Sequence, residues 1–129
     1  MSEDLVARGR AVVTSHEAYV QAGNLAAIMT NMAPDIVVMV PDSPLIEGAA
    51  ACRAMYAALL EIGRWKFEHD YHGAHAEGAF VFLHGVARGS LTTPDGLSQP
   101  VSNNFQITLK LNRDNRLEAW RVGFAPDGG

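Results

Sequence analysis

At Gly63 the hydrophobic pattern of the chain changes its period, and this switch constrains the fold more than any other feature. Before it, apolar residues recur at the helical repeat. After it, they alternate with polar ones, as on a half-buried strand. A helical half followed by strands joined through tight turns is the order of an α+β domain, with helices packed on one face of an antiparallel sheet.

The first helix is expected over about Glu3 to Gln21, where Leu5, Gly9, Val12, Val13, His16 and Val20 mark one stripe. Gly23 is placed to end it. Asn24 is placed to cap a short second helix through Met32, before Pro34 and Asp35 break the pattern. Asp35 to Val40 is short and β-branched, hence a strand, and Pro41 closes it. A loop from Pro41 to Glu47 leads to Gly48 and a third helix through Leu60, with Ala51, Met55, Ala58 and Ile62 on one face. Gly63 caps its end.

Beyond Gly63, Trp65, Phe67, His69 and Tyr71 alternate with Lys66, Glu68, Asp70 and His72. His72 and His75 read as exposed turn residues. A strand follows from about Phe80 to Leu91, and Thr93-Pro94-Asp95-Gly96 is a turn signal. Val101 to Leu111 alternates most cleanly, with Val101, Asn103, Phe105, Ile107, Leu109 and Leu111 on one face. Arg113-Asp114-Asn115 turns the chain into a last strand, Leu117 to Phe124, and Pro126 to Gly129 is expected to fray.

The 129 residues suit a single domain with a real core. Ten Lys and Arg stand against fourteen Asp and Glu, a formal charge of −4 with no block of like charge. Such a chain has no electrostatic reason to seek nucleic acid or an anionic membrane surface, so neither is an expected partner. The start Met1-Ser2-Glu3-Asp4 lacks the basic and apolar regions of a secretory leader. No apolar run approaches the roughly 20 residues of a membrane helix. Cys52 is the lone cysteine, which precludes an intramolecular disulfide, argues against a cysteine-based zinc site and fits a cytoplasmic location. No glycine-rich phosphate loop or nucleophile elbow is present.

Four stretches carry a resemblance: "HEAYVQAGNLAAIM", "DIVVMVPD", "IEGAAACRAMY" and "FQITLKLNRDNRLEAWRVGF". In order and spacing they resemble the SnoaL-like and ketosteroid-isomerase-like members of the nuclear-transport-factor-2-like superfamily. The resemblance implies a cystatin-like cone in which three N-terminal helices pack into a strongly curved antiparallel sheet. It also implies a wide mouth that admits a small apolar molecule, and pairing of the sheet in a homodimer. Steroid isomerases of that superfamily use a tyrosine on the first helix, a protonated acid on a central strand and a carboxylate ending the first strand. Aligned on Gly23-Asn24-Leu25, Pro41 and the closing hairpin, those positions hold His16, Ile107 and Val40. Steroid isomerisation by that mechanism is therefore not expected.

The candidate catalytic residues are His16, His84 and Asp42. His16 falls within the apolar stripe, and its analogue reaches the pocket; an imidazole there is either an acid–base group or a satisfied core residue. His84 shares a face with Phe80, Phe82, Val86 and Arg88, which the alignment points inward. Asp42 sits at the expected mouth. Tyr19, Met39, Tyr56, Trp65, Phe82, Asn103, Phe105 and Trp120 are the candidate ligand contacts. Among them Asn103 is the polar exception on an apolar face, and Trp120 shares its face with Glu118, Val122 and Phe124. No metal site is expected, because the histidine spacing matches no known ligand pattern, and no cofactor is expected. Two functions stay open: a cofactor-independent isomerase, dehydratase, cyclase or hydrolase, and a non-catalytic ligand-binding or assembly module.

Overall fold

The computed structural model describes residues 2–127. Helix α1 spans Ser2–Ala22, with Glu3 and Asp4 in its first turn, where acidic side chains suit the helix dipole. Gly23 adopts φ 68°, which ends the helix, and the Asn24 side chain accepts from the Ala27 backbone N–H at 3.1 Å to start α2, Leu25–Met29. Helix α2 is three residues shorter than its sequence signal. Strand β1 runs Met32–Met39, so Met32 is already extended and Pro34 lies within the strand. The proline is tolerated because β1 pairs irregularly between Met32 and Val37.

The presumed loop after β1 contains a short strand, β2 (Ile46–Glu47), which pairs antiparallel with β1. Helix α3 covers Ala49–Ile62 and buries Cys52 and Tyr56. Its inner face is therefore set by Cys52, Met55, Tyr56 and Leu59, while Ala51 and Ala58 are exposed and Ile62 is 48 % exposed. Four long strands follow: β3 (Arg64–Glu77), β4 (Phe80–Thr92), β5 (Ser98–Leu111) and β6 (Leu117–Pro126). His72 and His75 are exposed as expected, but they belong to β3 rather than to a turn. Pro126 pairs with Asn103, so β6 runs past Phe124 to Pro126, which was expected to fray; Gly128 and Gly129 lie outside the described residues.

The six strands form one curved, unclosed sheet in the order β2-β1-β6-β5-β4-β3, and the fold is α+β as the sequence implies. All pairings are antiparallel except that of β1 with β6, which places the first strand beside the last. The curvature needs backbone approaches that a side chain would block. A Cβ on Gly85 would lie 2.0 Å from the Asp70 carbonyl oxygen, and one on Gly89 would lie 1.6 Å from that of Lys66.

Helix α1 lies across the concave side, mainly over β3. Ile28, Ile36, Val81, Leu83 and Leu109 are at most 1 % exposed and form the centre of the core. Among the described residues no helix is long and apolar enough to cross a membrane.

Cross-strand pairing decides which residues face inward. Residues directly opposite one another share a face. Val81, Leu83 and Gly85 sit opposite Leu109, Ile107 and Phe105, so these fill the concave side. Phe80, Phe82 and His84 pair with Lys110, Thr108 and Gln106 on the convex side. The inward placement of Phe82 and His84 is thus corrected: β4 is apolar on both faces, so alternation could not choose between them, and the alignment on the family chose the wrong one. In β6 a register shift leaves Trp120 unpaired between Ala119 and Arg121, which face consecutive residues of β5. This bulge inverts the face, so Val122 is buried inside while Trp120 turns outward. Its indole N–H donates to Asp35 Oδ2 at 3.2 Å and its ring lies under the Arg121 guanidinium at 3.8 Å.

Candidate functional site

Between α1, α3 and the concave sheet lies a cavity of about 250 Å³. Helix α1 contributes His16, Glu17 and Val20; α3 contributes Met55, Tyr56, Leu59 and Leu60. Trp65, Phe67 and His69 come from β3, Asn103 from β5 and Phe124 from β6, while Val40 and Pro41 follow β1. A smaller void of about 40 Å³ borders it and shares His16, Tyr56, His69 and Phe124.

The apolar wall is tied together by a hydrogen bond and a ring contact. Trp65 donates its indole N–H to the Leu59 carbonyl at 2.7 Å, which ties β3 to the end of α3. Its ring stacks on Phe67, with centroids 5.7 Å apart and planes 16° from parallel. The two form a flat apolar surface along one side.

The polar end comes from two adjacent residues of α1. Glu17 Oε2 accepts from the His69 backbone N–H at 2.8 Å and lies 2.6 Å from His69 Nδ1. A carboxylate only accepts, so Nδ1 carries the proton that it donates, and Nε2 of the neutral ring is left as an acceptor. The His69 side chain is 7 % exposed, and Phe105 packs edge-on against its ring at 4.8 Å. The strand fixes the ring in place and the carboxylate fixes its tautomer, the arrangement that orients a histidine base in acyl-transfer enzymes.

His16 forms a second pair. Its Nε2 lies 3.1 Å from the Tyr56 hydroxyl, and the rings meet edge to face at 72°. Burial pushes the Tyr56 phenol well above its ordinary range, with Cys52 nearby adding to the shift. The phenol thus keeps its proton. Among the described residues its hydroxyl has no other acceptor, so it donates to His16 Nε2, and the His16 proton sits on Nδ1. Burial also lowers His16 from 6.5 to about 4, and His69 pushes in the same direction. His16 is therefore uncharged at neutral pH.

His16, Tyr56, Trp65 and Asn103 line the cavity, as the sequence reading placed them. Phe105 is buried on the same face but packs behind His69 and Tyr71. Tyr19 packs against the core without lining the cavity. Five candidates are elsewhere. Asp42 is exposed in a turn at φ 58°, beyond the cavity wall that ends at Pro41. Met39 is 41 % exposed, because Ile36, Val38 and Val40 take the inner side of β1. Phe82, His84 and Trp120 are on the convex face for the pairing reasons above.

Glu17 had no place among the sequence candidates. It follows His16 and is four residues after the buried Val13, so the helical repeat brings it to the edge of the same stripe. His69 was visible on the Trp65–Tyr71 face, but only the fold shows its carboxylate partner. Among the described residues no three His, Cys, Asp or Glu side chains converge as a metal site. Cys52 is buried, and burial pushes its thiol up to about 11, which keeps it from acting as a thiolate.

The sequence profile of the SnoaL-like domain matches residues 4–120. No curated protein matches the chain. A ketosteroid isomerase-like protein from Erwinia carotovora superposes with a TM-score of 0.83 at 14 % identity, covering 96 % of this chain and 97 % of that one. An NTF2-like protein with a cystatin-like fold from Novosphingobium aromaticivorans gives a TM-score of 0.73 at 18 % identity, covering 95 % and 82 %. A protein from Catenulispora acidiphila in complex with S-DNPA gives a TM-score of 0.79 at 17 % identity, covering 97 % and 95 %. At these identities the likeness concerns the fold. The chain belongs to the SnoaL-like family, within the NTF2-like fold.

Proposed function

We propose that this SnoaL-like domain binds a small, largely apolar molecule in the α1–α3 cavity and moves a proton on it, with His69 as the base and no cofactor. The observation that carries the reading is the Glu17–His69 pair facing an otherwise apolar cavity, with a second, uncharged histidine beside it. Glu17 orients His69 and stabilises the imidazolium that forms when Nε2 takes a proton. His16 offers Nδ1–H, and Asn103 offers an amide, to hold the ligand or charge developing on it. The volume lies a little below the ~300–1,000 Å³ of drug-sized sites, which matches a molecule of about one substituted ring. Isomerisation, dehydration and cyclisation can each proceed through a proton taken from the ligand, and hydrolysis through the same base taking a proton from water. The ligand-bound Catenulispora acidiphila relative is in keeping with a ligand-holding role for the fold.

The test uses 5-nitrobenzisoxazole, whose ring opens when a base takes one C–H proton and the N–O bond breaks to give a cyanophenolate. The protein should accelerate this reaction, and His69→Phe should lower the rate about 100-fold. A His69→Phe variant as active as the wild type would overturn the assignment.

A second reading concerns assembly. Phe80, Phe82 and His75 stack in a row on the convex face, Phe80 also meets Trp120 at 5.4 Å, and Phe82 is 39 % exposed. An aromatic ladder on an open sheet face supports a homodimer through that face.

A further inference from the structure

The polar end of the cavity has a hydrogen-bonding complement that selects among ligands. Beside the Glu17 carboxylate, whose Oε1 is a further acceptor without a partner, three groups there have no protein partner among the described residues: His16 Nδ1–H, His69 Nε2 and the Asn103 side-chain amide. None of them is a sealed, unsatisfied polar atom, so each retains accessible surface, and all three residues line the one cavity. The complement is therefore mixed. His16 offers a donor, His69 offers an acceptor, and Asn103 offers both.

The geometry points to a neutral ring-borne alcohol as the ligand class, its hydroxyl donating to His69 Nε2 and accepting from His16 Nδ1–H or Asn103, and its ring lying on Trp65 and Phe67. This inference rests on the pocket reading above. A hydroxyl is the smallest group that is both donor and acceptor. A carbonyl has no proton for His69. A carboxylate has none either, and it is repelled by Glu17, whose side chain is 19 % exposed beside the cavity. An ammonium can donate to His69 and is drawn to Glu17, but it accepts nothing, so it leaves the His16 Nδ1–H unpaired. Leaving a buried polar group unpaired costs more than a made hydrogen bond gains, so the wrong head groups are rejected more strongly than the right one is held.

The experiment is calorimetric titration with one skeleton and five head groups: benzyl alcohol, toluene, benzaldehyde, benzoate and benzylammonium. Benzyl alcohol should bind at least tenfold more tightly than each of the others. In His69→Leu its advantage over toluene should fall below about threefold. Asn103→Ala should reduce the same advantage and serves if His69→Leu does not fold. Toluene binding as well as benzyl alcohol would overturn the inference and leave the pocket reading standing. Benzaldehyde or benzylammonium binding most tightly would overturn it too, by showing a donor-only or anionic end. If no probe binds, both the inference and the pocket reading fall.

Discussion

Replacing His16 by glutamine should remove a specific part of the protein's acid sensitivity. In the fold His16 titrates at about 4, chiefly because burial disfavours the imidazolium, whereas an ordinary histidine titrates near 6.5. Between those values the unfolded chain binds the proton and the folded chain does not. The stability that His16 contributes is thus fully present above about pH 6.5, falls as pH drops toward 4, and is level below that. At about 1.4 kcal/mol per pH unit, the gap corresponds to about 3 kcal/mol. Glutamine keeps an acceptor for the Tyr56 hydroxyl but cannot titrate, and at neutral pH it should cost only ~1 kcal/mol. Every other titrating group is common to the two proteins, so its acid loss cancels in the comparison. The assay is urea unfolding of wild type and His16→Gln at neutral pH and near pH 4. The wild-type midpoint should fall further than the variant's by roughly 1.5 M, taking an m-value of ~2 kcal/mol/M. Equal acid losses would refute the buried, uncharged His16 on which the site's description depends.

Two other outcomes test the framework. Gly89→Ala puts a methyl group where only 1.6 Å separates it from the Lys66 carbonyl oxygen, so it should cost about 3 kcal/mol or more and lower the thermal midpoint by ~10 °C; an unchanged melt would show that the sheet does not need that close approach. Phe82→Glu adds a charge to the exposed aromatic ladder at no cost to the core; if the proposed homodimer forms through that face, light scattering should show a dimeric wild type and a monomeric variant, and a wild type that is already monomeric would remove the assembly reading.

Much of the fold was legible because the two halves use different periods. The α1 stripe, the Asn24 cap and the inner face of β5 all follow from local spacing, and each is where the sequence places it. The errors share a cause. Alternation gives two faces without saying which is buried, and β4 is apolar on both, so the inner face was left to the family alignment, which put His84 and Phe82 on the wrong side. Parity also fails at a bulge, which explains Trp120. The shortfall of α2 arose because Met32 was claimed by pairing with Ala119, a contact 87 positions away along the chain.

The site was legible in part. His16 and Asn103 stood out as polar residues on apolar faces, Tyr56 and Trp65 as aromatic candidates for a pocket wall, and the four meet at the cavity. The Glu17–His69 pair joins residues 52 apart in sequence, and no local pattern encodes such a contact. The parallel pairing of β1 with β6 is hidden for the same reason.

The most direct test is the protonation state of the two imidazoles, read by ¹⁵N NMR of uniformly labelled protein as pH is lowered from neutral to about 4.5. At neutral pH His69 should carry its proton on Nδ1, facing Glu17, and His16 should hold its proton on Nδ1 with Nε2 accepting from Tyr56 and stay mostly uncharged down to about pH 4.5. A His16 that gains charge near its ordinary value of 6.5, or a neutral His69 protonated on Nε2, would contradict the proposed base and its uncharged partner.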